Sequence, residues 1–226
     1  MIFFSPMYLF MVAVPSFLIA FWAQSKVKNA IKKYSRVRNQ ANLTGAQAAR
    51  KILDQYGLVN VKITTTNGWL GDHYDPTSKE LRLSPNIYSG KSIAAIGIAA
   101  HEAGHALQQA TKYIPLALRS AIVPMAAVSN FAWPLLIVGM IFKMTMLVYV
   151  AVIFFFVVVI LQIINLPVEY NASRRAKQTL INCNIITANE ITGVKNVLNA
   201  AALTYVAAAL GSILQLLYFI GLSRRN

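Results

Sequence analysis

Four long apolar runs divide this chain, and the polar stretches between them carry the shorter periodicities of a folded domain. Residues 2–22 are almost wholly apolar, long enough as a helix to cross a hydrocarbon core of about 30 Å. The basic cluster Lys26, Lys28, Lys32, Lys33, Arg36 and Arg38 follows at once. From residue 42 the pattern becomes that of a small domain. Thr44-Gly45-Ala46-Gln47 opens a helical period with Ala48, Ala49, Ile52 and Leu53 on one face, ending near Gly57 as a C-cap. Residues 59–66 and 80–84 alternate as strands do, and the turn-rich residues 72–78 lie between them.

Residues 93–111 read as one helix, with Ser92 or Ser89 available to cap its start. Its small residues Gly97, Ala99, Ala100, Ala103, Gly104 and Ala106 predict close approach by neighbouring elements. The apolar runs 122–142 and 144–166 come next, and only Lys143 separates them, which predicts a tight transmembrane hairpin. Pro124 and Pro134 should kink its first arm, and Pro167 should end its second. Residues 168–177 then open a polar helix, Thr187 begins another, and a last apolar stretch covers residues 200–222.

The predicted fold is mainly α: a polytopic membrane protein with about four transmembrane helices and a small cytoplasmic α+β zincin-like catalytic domain. Residues 1–23 form the N-terminal transmembrane anchor and 24–41 a basic juxtamembrane segment. The catalytic domain takes 42–115, the transmembrane hairpin 116–167, cytoplasmic helices 168–199, and a C-terminal transmembrane helix 200–226.

Composition supports this division. The chain is 57% hydrophobic and 12% charged, with a mean hydropathy of +0.53, far from a soluble globular protein. The net charge of +14 therefore argues for orientation in a membrane and contact with anionic lipid rather than for nucleic acid. Placing the segment with residue 101 inside puts 18 of the 21 Lys and Arg on that side, leaving Lys143, Arg224 and Arg225 outside. Positive charge after the first apolar run, with no small-residue cleavage site, reads as an uncleaved anchor with its N-terminus outside. Cys183 is the single cysteine, so the chain forms no internal disulfide and the thiol reads as a small core residue.

The chemistry lies in Ala99-Ala100-His101-Glu102-Ala103-Gly104-His105-Ala106-Leu107-Gln108. On a helix His101 and His105 stand one above the other, where two imidazoles can grip one metal ion. Glu102 is offset by one step, which suits a general base beside a water rather than a ligand. A catalytic zinc needs a third protein ligand. Positions 108 and 111 hold Gln108 and Thr111, which excludes HExxHxxGxxH, and no Asp or Glu occurs between Glu102 and Glu169. Glu190 is explained as the partner of Thr187 in a capping box, and Asp54 as part of a surface helix. Glu169 remains, expected at a helix start where the hairpin returns the chain to the side of His101; Asp72, His73 and Asp75 in the 72–80 turn stay open as alternatives.

Leu70-Gly71-Asp72-His73-Tyr74-Asp75-Pro76, Leu81-Arg82-Leu83-Ser84-Pro85, the run from Ser92 to Gln108, and Leu166-Pro167-Val168-Glu169-Tyr170-Asn171-Ala172-Ser173-Arg174-Arg175-Ala176 resemble the bacterial membrane zinc metallopeptidases of the YugP type. That neutral zinc metallopeptidase family is similar in turn to the HtpX and CAAX prenyl protease group, of gluzincin-like type. The resemblance implies one zinc per chain on His101, His105 and Glu169, with Glu102 catalytic. It implies a multi-pass bacterial cell membrane protein acting on polypeptides in contact with the lipid bilayer. In the related group an Asp stands four residues after the ligand Glu; here Ser173 takes that place, a weaker partner for a ligand histidine. Arg174 or Tyr170 would supply the oxyanion donor. The expected activity is zinc-dependent endopeptidase hydrolysis at the cytoplasmic membrane face, in membrane protein quality control. An intramembrane protease would need the motif inside a span, and a non-catalytic metal-binding scaffold would leave Glu102 without a reason. A homo-oligomer or a membrane partner protein is compatible with the sequence.

Overall fold

The computed structural model describes residues 6–66 and 71–223; the expectations attached to residues 1–5, to Leu70 and to Arg224 and Arg225 lie outside the described residues. In chain order the elements are α1 (Val14–Tyr34), preceded by a π turn Leu9–Ala13, then α2 (Gly45–Gln55), β1 (Lys62–Thr65), β2 (His73–Asp75) and β3 (Glu80–Leu83). The short α3 (Pro85–Tyr88) and the motif helix α4 (Ile93–Ala110) follow, then α5 (Ile114–Val128), α6 (Ala132–Ile141), α7 (Thr145–Asn182) and α8 (Ile191–Ser223). Four helical stretches are long and apolar enough to span a bilayer: Pro6–Tyr34, Ile114–Ile141, Thr145–Asn182 and Ile191–Gly221. The motif helix is not among them. Four such stretches are the pattern of a membrane protein, and the motif lies outside them.

Internal contacts divide the chain into two units, one of residues 1–23, 117–167 and 203–226, the other of residues 24–116 and 168–202. The first is apolar within and without. Ala132, Leu136, Val148, Ala151, Phe155, Val159, Leu216 and Phe219 form its core, with Trp133, Phe155 and Phe219 meeting edge to face at 5.3–6.4 Å between centroids. Phe10, Phe17, Phe21, Ile141, Phe142, Met146 and Ile153 are more than 60% exposed, a surface suited to lipid rather than water. Pro124 lies inside α5, and a 3₁₀ turn at Ser129–Phe131 separates α5 from α6.

The second unit is organised around α4, of which fourteen of eighteen residues are buried. Ser92 caps it by accepting from the Ala95 N–H at 3.1 Å. The periodic face of α2 (Ala48, Ala49, Ile52, Leu53) packs against it, together with Leu81, Leu83, Ala176, Leu180, Val194 and Leu198. Thr44 and Gln47 close α2 with reciprocal bonds of 3.2 and 2.9 Å, the capping box. Gly57, just past the helix, has φ +74°, the conformation that the chain's turn there requires and that glycine adopts without strain. Cys183 is buried in this core, and burial pushes its thiol up, as fits an inert packing residue.

The sheet has three strands in the order β1-β3-β2. β1 runs parallel to β3 and β2 antiparallel to it, with Ile63 and Tyr74 both opposite Leu81. The turn-rich segment thus contains a strand that the sequence pattern did not predict. Its three residues are too few to show alternation, and pairing with β3 together with bonds to α4 holds it.

Two expectations at Pro167 and Glu169 are corrected. Pro167 does not end the second arm of the hairpin: α7 runs without interruption from Thr145 to Asn182 with Pro167 inside it. Glu169 consequently lies deep within a helix, not at a helix start. A proline there removes one helical hydrogen bond and costs about 3 kcal/mol. The turns after it make continuation worthwhile, because Val168, Ala172, Ala176 and Leu180 recur every fourth residue and are all fully buried. At the start of α8, Thr187 and Glu190 meet as expected, the Glu190 carboxylate accepting from the Thr187 N–H and hydroxyl, each at 2.9 Å. The helix itself begins later, at Ile191.

Candidate metal centre

His101 and His105 project from one face of α4, and α7 brings Glu169 across to them. The approach depends on Gly104. A Cβ at that position would stand 2.7 Å from the Ala172 carbonyl oxygen, so any side chain would force the two backbones apart. With glycine there, Glu169 Oε2 comes to 3.1 Å from His101 Nε2 and 3.7 Å from His105 Nε2. His101, His105 and Glu169 each offer a ligand atom, all within 4.8 Å of one another. Two atoms bound tetrahedrally at zinc's bond length of about 2 Å stand about 3.3 Å apart. The donor set and its spacing therefore fit zinc: two imidazole nitrogens and one carboxylate, buried except at the margin of His101.

The other ring nitrogens are held from behind. His101 Nδ1 is 3.1 Å from Ser173 Oγ, and His105 Nδ1 is 3.0 Å from Gln108 Oε1. A neutral acceptor at Nδ1 fixes that nitrogen as the donor and leaves Nε2 as the metal-facing atom. Gln108 is itself fully buried and donates to the Val168 carbonyl at 2.8 Å and to Asn171 Oδ1 at 3.1 Å. Asn171 Oδ1 also accepts from Arg175 Nε at 2.8 Å. This chain of bonds ties the histidine of one helix to the backbone of the helix that carries Glu169.

Charge follows the geometry. Burial pushes the Glu169 carboxyl up, but hydrogen bonds from the His101 and His105 imidazoles outweigh it and hold it well below the usual carboxylate range. Burial pushes the His105 imidazole down, and the hydrogen bond to Glu169 with the nearby Glu102 charge brings it above its ordinary value.

Glu102 is buried beside the cluster without joining it. Its Oε2 accepts from the Tyr74 backbone N–H at 3.1 Å. That N–H points away from β3, so the outer edge of β2 faces the carboxylate. The Tyr74 hydroxyl bonds Gln109, and Gln109 Nε2 donates to the Pro76 carbonyl at 3.0 Å, which anchors the strand to α4.

The alternatives for a third ligand are occupied elsewhere. Asp72 Oδ1 accepts from the Ser84 N–H at 2.7 Å and its hydroxyl at 3.0 Å. Asp75 caps the Thr77 and Ser78 amides and stands 3.7 Å from Arg82, and His73 Nδ1 bonds the Gly71 carbonyl. None of them joins the cluster of the two motif histidines. Tyr170 and Arg174 are exposed on α7, and among the described residues no hydrogen bond joins either to His101, Glu102, His105 or Glu169. Gln108 and Asn171 were not singled out from the sequence. The available signal was spacing: Gln108 follows His105 by three residues and His101 by seven, on the same helical face.

Comparison with known proteins gives a family and a relative. The family model described as "Putative neutral zinc metallopeptidase" matches residues 9–224. The chain is 48% identical over 203 residues to the "Putative membrane protease YugP" of Bacillus subtilis, covering 89% of this chain and 90% of that one. No solved structure matches.

Proposed function

This chain belongs to the neutral zinc metallopeptidase family, and from that premise we propose that it is a zinc-dependent endopeptidase. The observation that carries the reading is the grouping of a His101, a His105 and a Glu169 ligand atom within 4.8 Å of one another, with the Glu102 carboxylate bonded instead to the Tyr74 N–H. His101, His105 and Glu169 would hold the zinc, which would supply Lewis acidity, acidifying the attacking water and polarising the scissile carbonyl.

The protein's own groups do the rest. Glu102 takes the proton from the attacking water and delivers it to the leaving amine. Its carboxylate is positioned for this by the Tyr74 N–H and by its place in a buried helix. An extended polypeptide pairing with an edge of the sheet gains binding through main-chain bonds with little dependence on sequence. Ser173 and Gln108 hold the ligand imidazoles from behind, and Arg174 or Tyr170 supplies the donor to the developing oxyanion.

The domain division is that of the sequence: anchor 1–23, basic segment 24–41, zincin-like catalytic domain 42–115, hairpin 116–167, ligand-bearing helices 168–199 and last span 200–226. The catalytic side is cytoplasmic and the N-terminus outside, since this orientation keeps most of the Lys and Arg inside. Substrates are polypeptides presented at that membrane face, as in membrane protein quality control.

The test uses the full chain purified in detergent with an unfolded, fluorescently labelled protein as substrate. Cleavage should stop on addition of a zinc chelator and return on adding zinc back. Cleavage that persists undiminished in excess chelator would sink the proposal.

A further inference from the structure

A cavity of about 710 Å³, lined by none of His101, Glu102, His105 and Glu169, lies in the unit of residues 24–116 and 168–202. The last turns of α1 contribute Lys28 and Lys32 to its wall, the segment after them Arg36 and Arg38, and the approach to α4 Lys91. Backbone pairing fixes these pieces to one another. Arg38 and Ser92 form a bridge, the Asn39 N–H donates to the Lys91 carbonyl at 3.0 Å, and the Ile93 N–H to the Val37 carbonyl at 2.9 Å.

Five cations thus line one cavity, and among the described residues none of them pairs with a carboxylate. The one acid in the wall, Asp72, is already engaged by the Ser84 amide and hydroxyl. Lys28, Lys32, Arg36 and Arg38 reach solvent and Lys91 is half-buried, so the five charges give the cavity a positive potential that favours an anion among them. The volume falls within the range of small-molecule sites. Hydroxyls of Ser35, Ser89 and Ser92 add neutral polar groups to the wall, and Ile31, Ile87 and Ile98 make part of it apolar.

We propose that this cavity binds a phosphate-bearing anion, and that its source is the headgroup of an anionic phospholipid. The first turn of basic residues argues for the lipid source. Lys28 follows Trp22 by six residues in the same continuous helix, about 9 Å along its axis. The cations therefore begin where the apolar run of the first span ends, at the depth of lipid phosphates. This assignment does not rest on the peptidase reading.

The experiment measures thermal unfolding of the full chain in neutral detergent. Short-chain phosphatidylglycerol, short-chain phosphatidylcholine, inorganic phosphate and an acidic decapeptide are titrated separately. Phosphatidylglycerol should raise the midpoint saturably, phosphatidylcholine should not, and the effect should weaken as ionic strength rises. The combined variant Lys32→Gln, Arg36→Gln, Lys91→Gln should raise the half-saturating concentration about a hundredfold, at about fivefold per cation. Its own midpoint and zinc content should match the parent; if it does not fold, the charge-preserving Lys32→Arg, Lys91→Arg variant should retain the parent's response. Inorganic phosphate binding as tightly as phosphatidylglycerol keeps the phosphate site but assigns it to the free ion. Equal responses to both lipids, a response unchanged by salt, or protection by the acidic peptide alone would overturn the proposal.

Discussion

Gln108→Leu isolates the support of one zinc ligand. Leucine keeps roughly the volume of glutamine at a fully buried position but removes the acceptor that stands 3.0 Å from His105 Nδ1. It also removes the donations to the Val168 carbonyl and Asn171 Oδ1. Asn171 keeps its bond from Arg175, and Val168 remains inside a helix, so the group left without a partner is the His105 Nδ1–H. An unsatisfied buried donor costs about 1–3 kcal/mol of stability. Loss of a hydrogen bond behind a ligand histidine weakens metal binding about 10- to 100-fold, or about 1.4–2.7 kcal/mol. The assay is competition for zinc against a chelator of known affinity, with a thermal melt of the metal-free protein alongside. A variant whose zinc affinity stays within twofold of the parent would show that the Gln108 bond does not orient His105.

Further outcomes follow from the same geometry. Glu169→Ala should lose zinc while keeping its helical content, because Val168, Ala172, Ala176 and Leu180 still pack that helix; metal analysis with circular dichroism checks both. Gly104→Ala should destabilise the protein by about 1–3 kcal/mol by overpacking against the Ala172 carbonyl and should lower zinc occupancy, since the same contact sets the approach of Glu169; a melting midpoint equal to the parent's would contradict this. Ser173→Ala should weaken zinc binding less than Gln108→Leu does, because Ser173 is tied to fewer neighbours, and the same chelator competition ranks the two. Zinc affinity should depend on pH. In the metal-free protein His105 is raised above 6.5, and its contribution to stability is complete below that value and lost as pH rises through the folded value. Zinc requires the neutral ring, so uptake at neutral pH should release a proton and apparent affinity should fall on acidification. Calorimetry in buffers of different ionisation enthalpy counts that proton, and a count of zero between pH 6 and 7 would be the wrong result.

Local pattern carried much of this architecture. The four apolar runs, the helix opening at Thr44-Gly45-Ala46-Gln47, the Ser92 cap and the extent of the motif helix all depend on residues within a few positions of one another. Pro167 is the instructive failure. A proline weakens a helix by a fixed local amount, whereas the buried stripe from Val168 to Leu180 that outweighs it is visible only against the packed neighbour. The same reason hid β2, whose three residues hold their shape through β3 and α4. At the site, elimination among seven carboxylates left Glu169 beside the 72–80 turn residues. Only the folded chain shows Asp72 and Asp75 engaged by their neighbours. Gln108 was overlooked because a glutamine has many roles, and its bond to His105 becomes meaningful only when Val168 and Asn171 are seen to fix its other end.

The most direct test of the account compares the full chain with its Glu102→Gln variant, in detergent, on one unfolded protein substrate, with zinc counted in both preparations. Glu102 is assigned the proton transfer and no bond to the metal. Both preparations should therefore hold one zinc per chain, with cleavage by the variant reduced about 100- to 10,000-fold. A variant that cleaves at the parent's rate, or a parent that binds no zinc, would contradict the central claim.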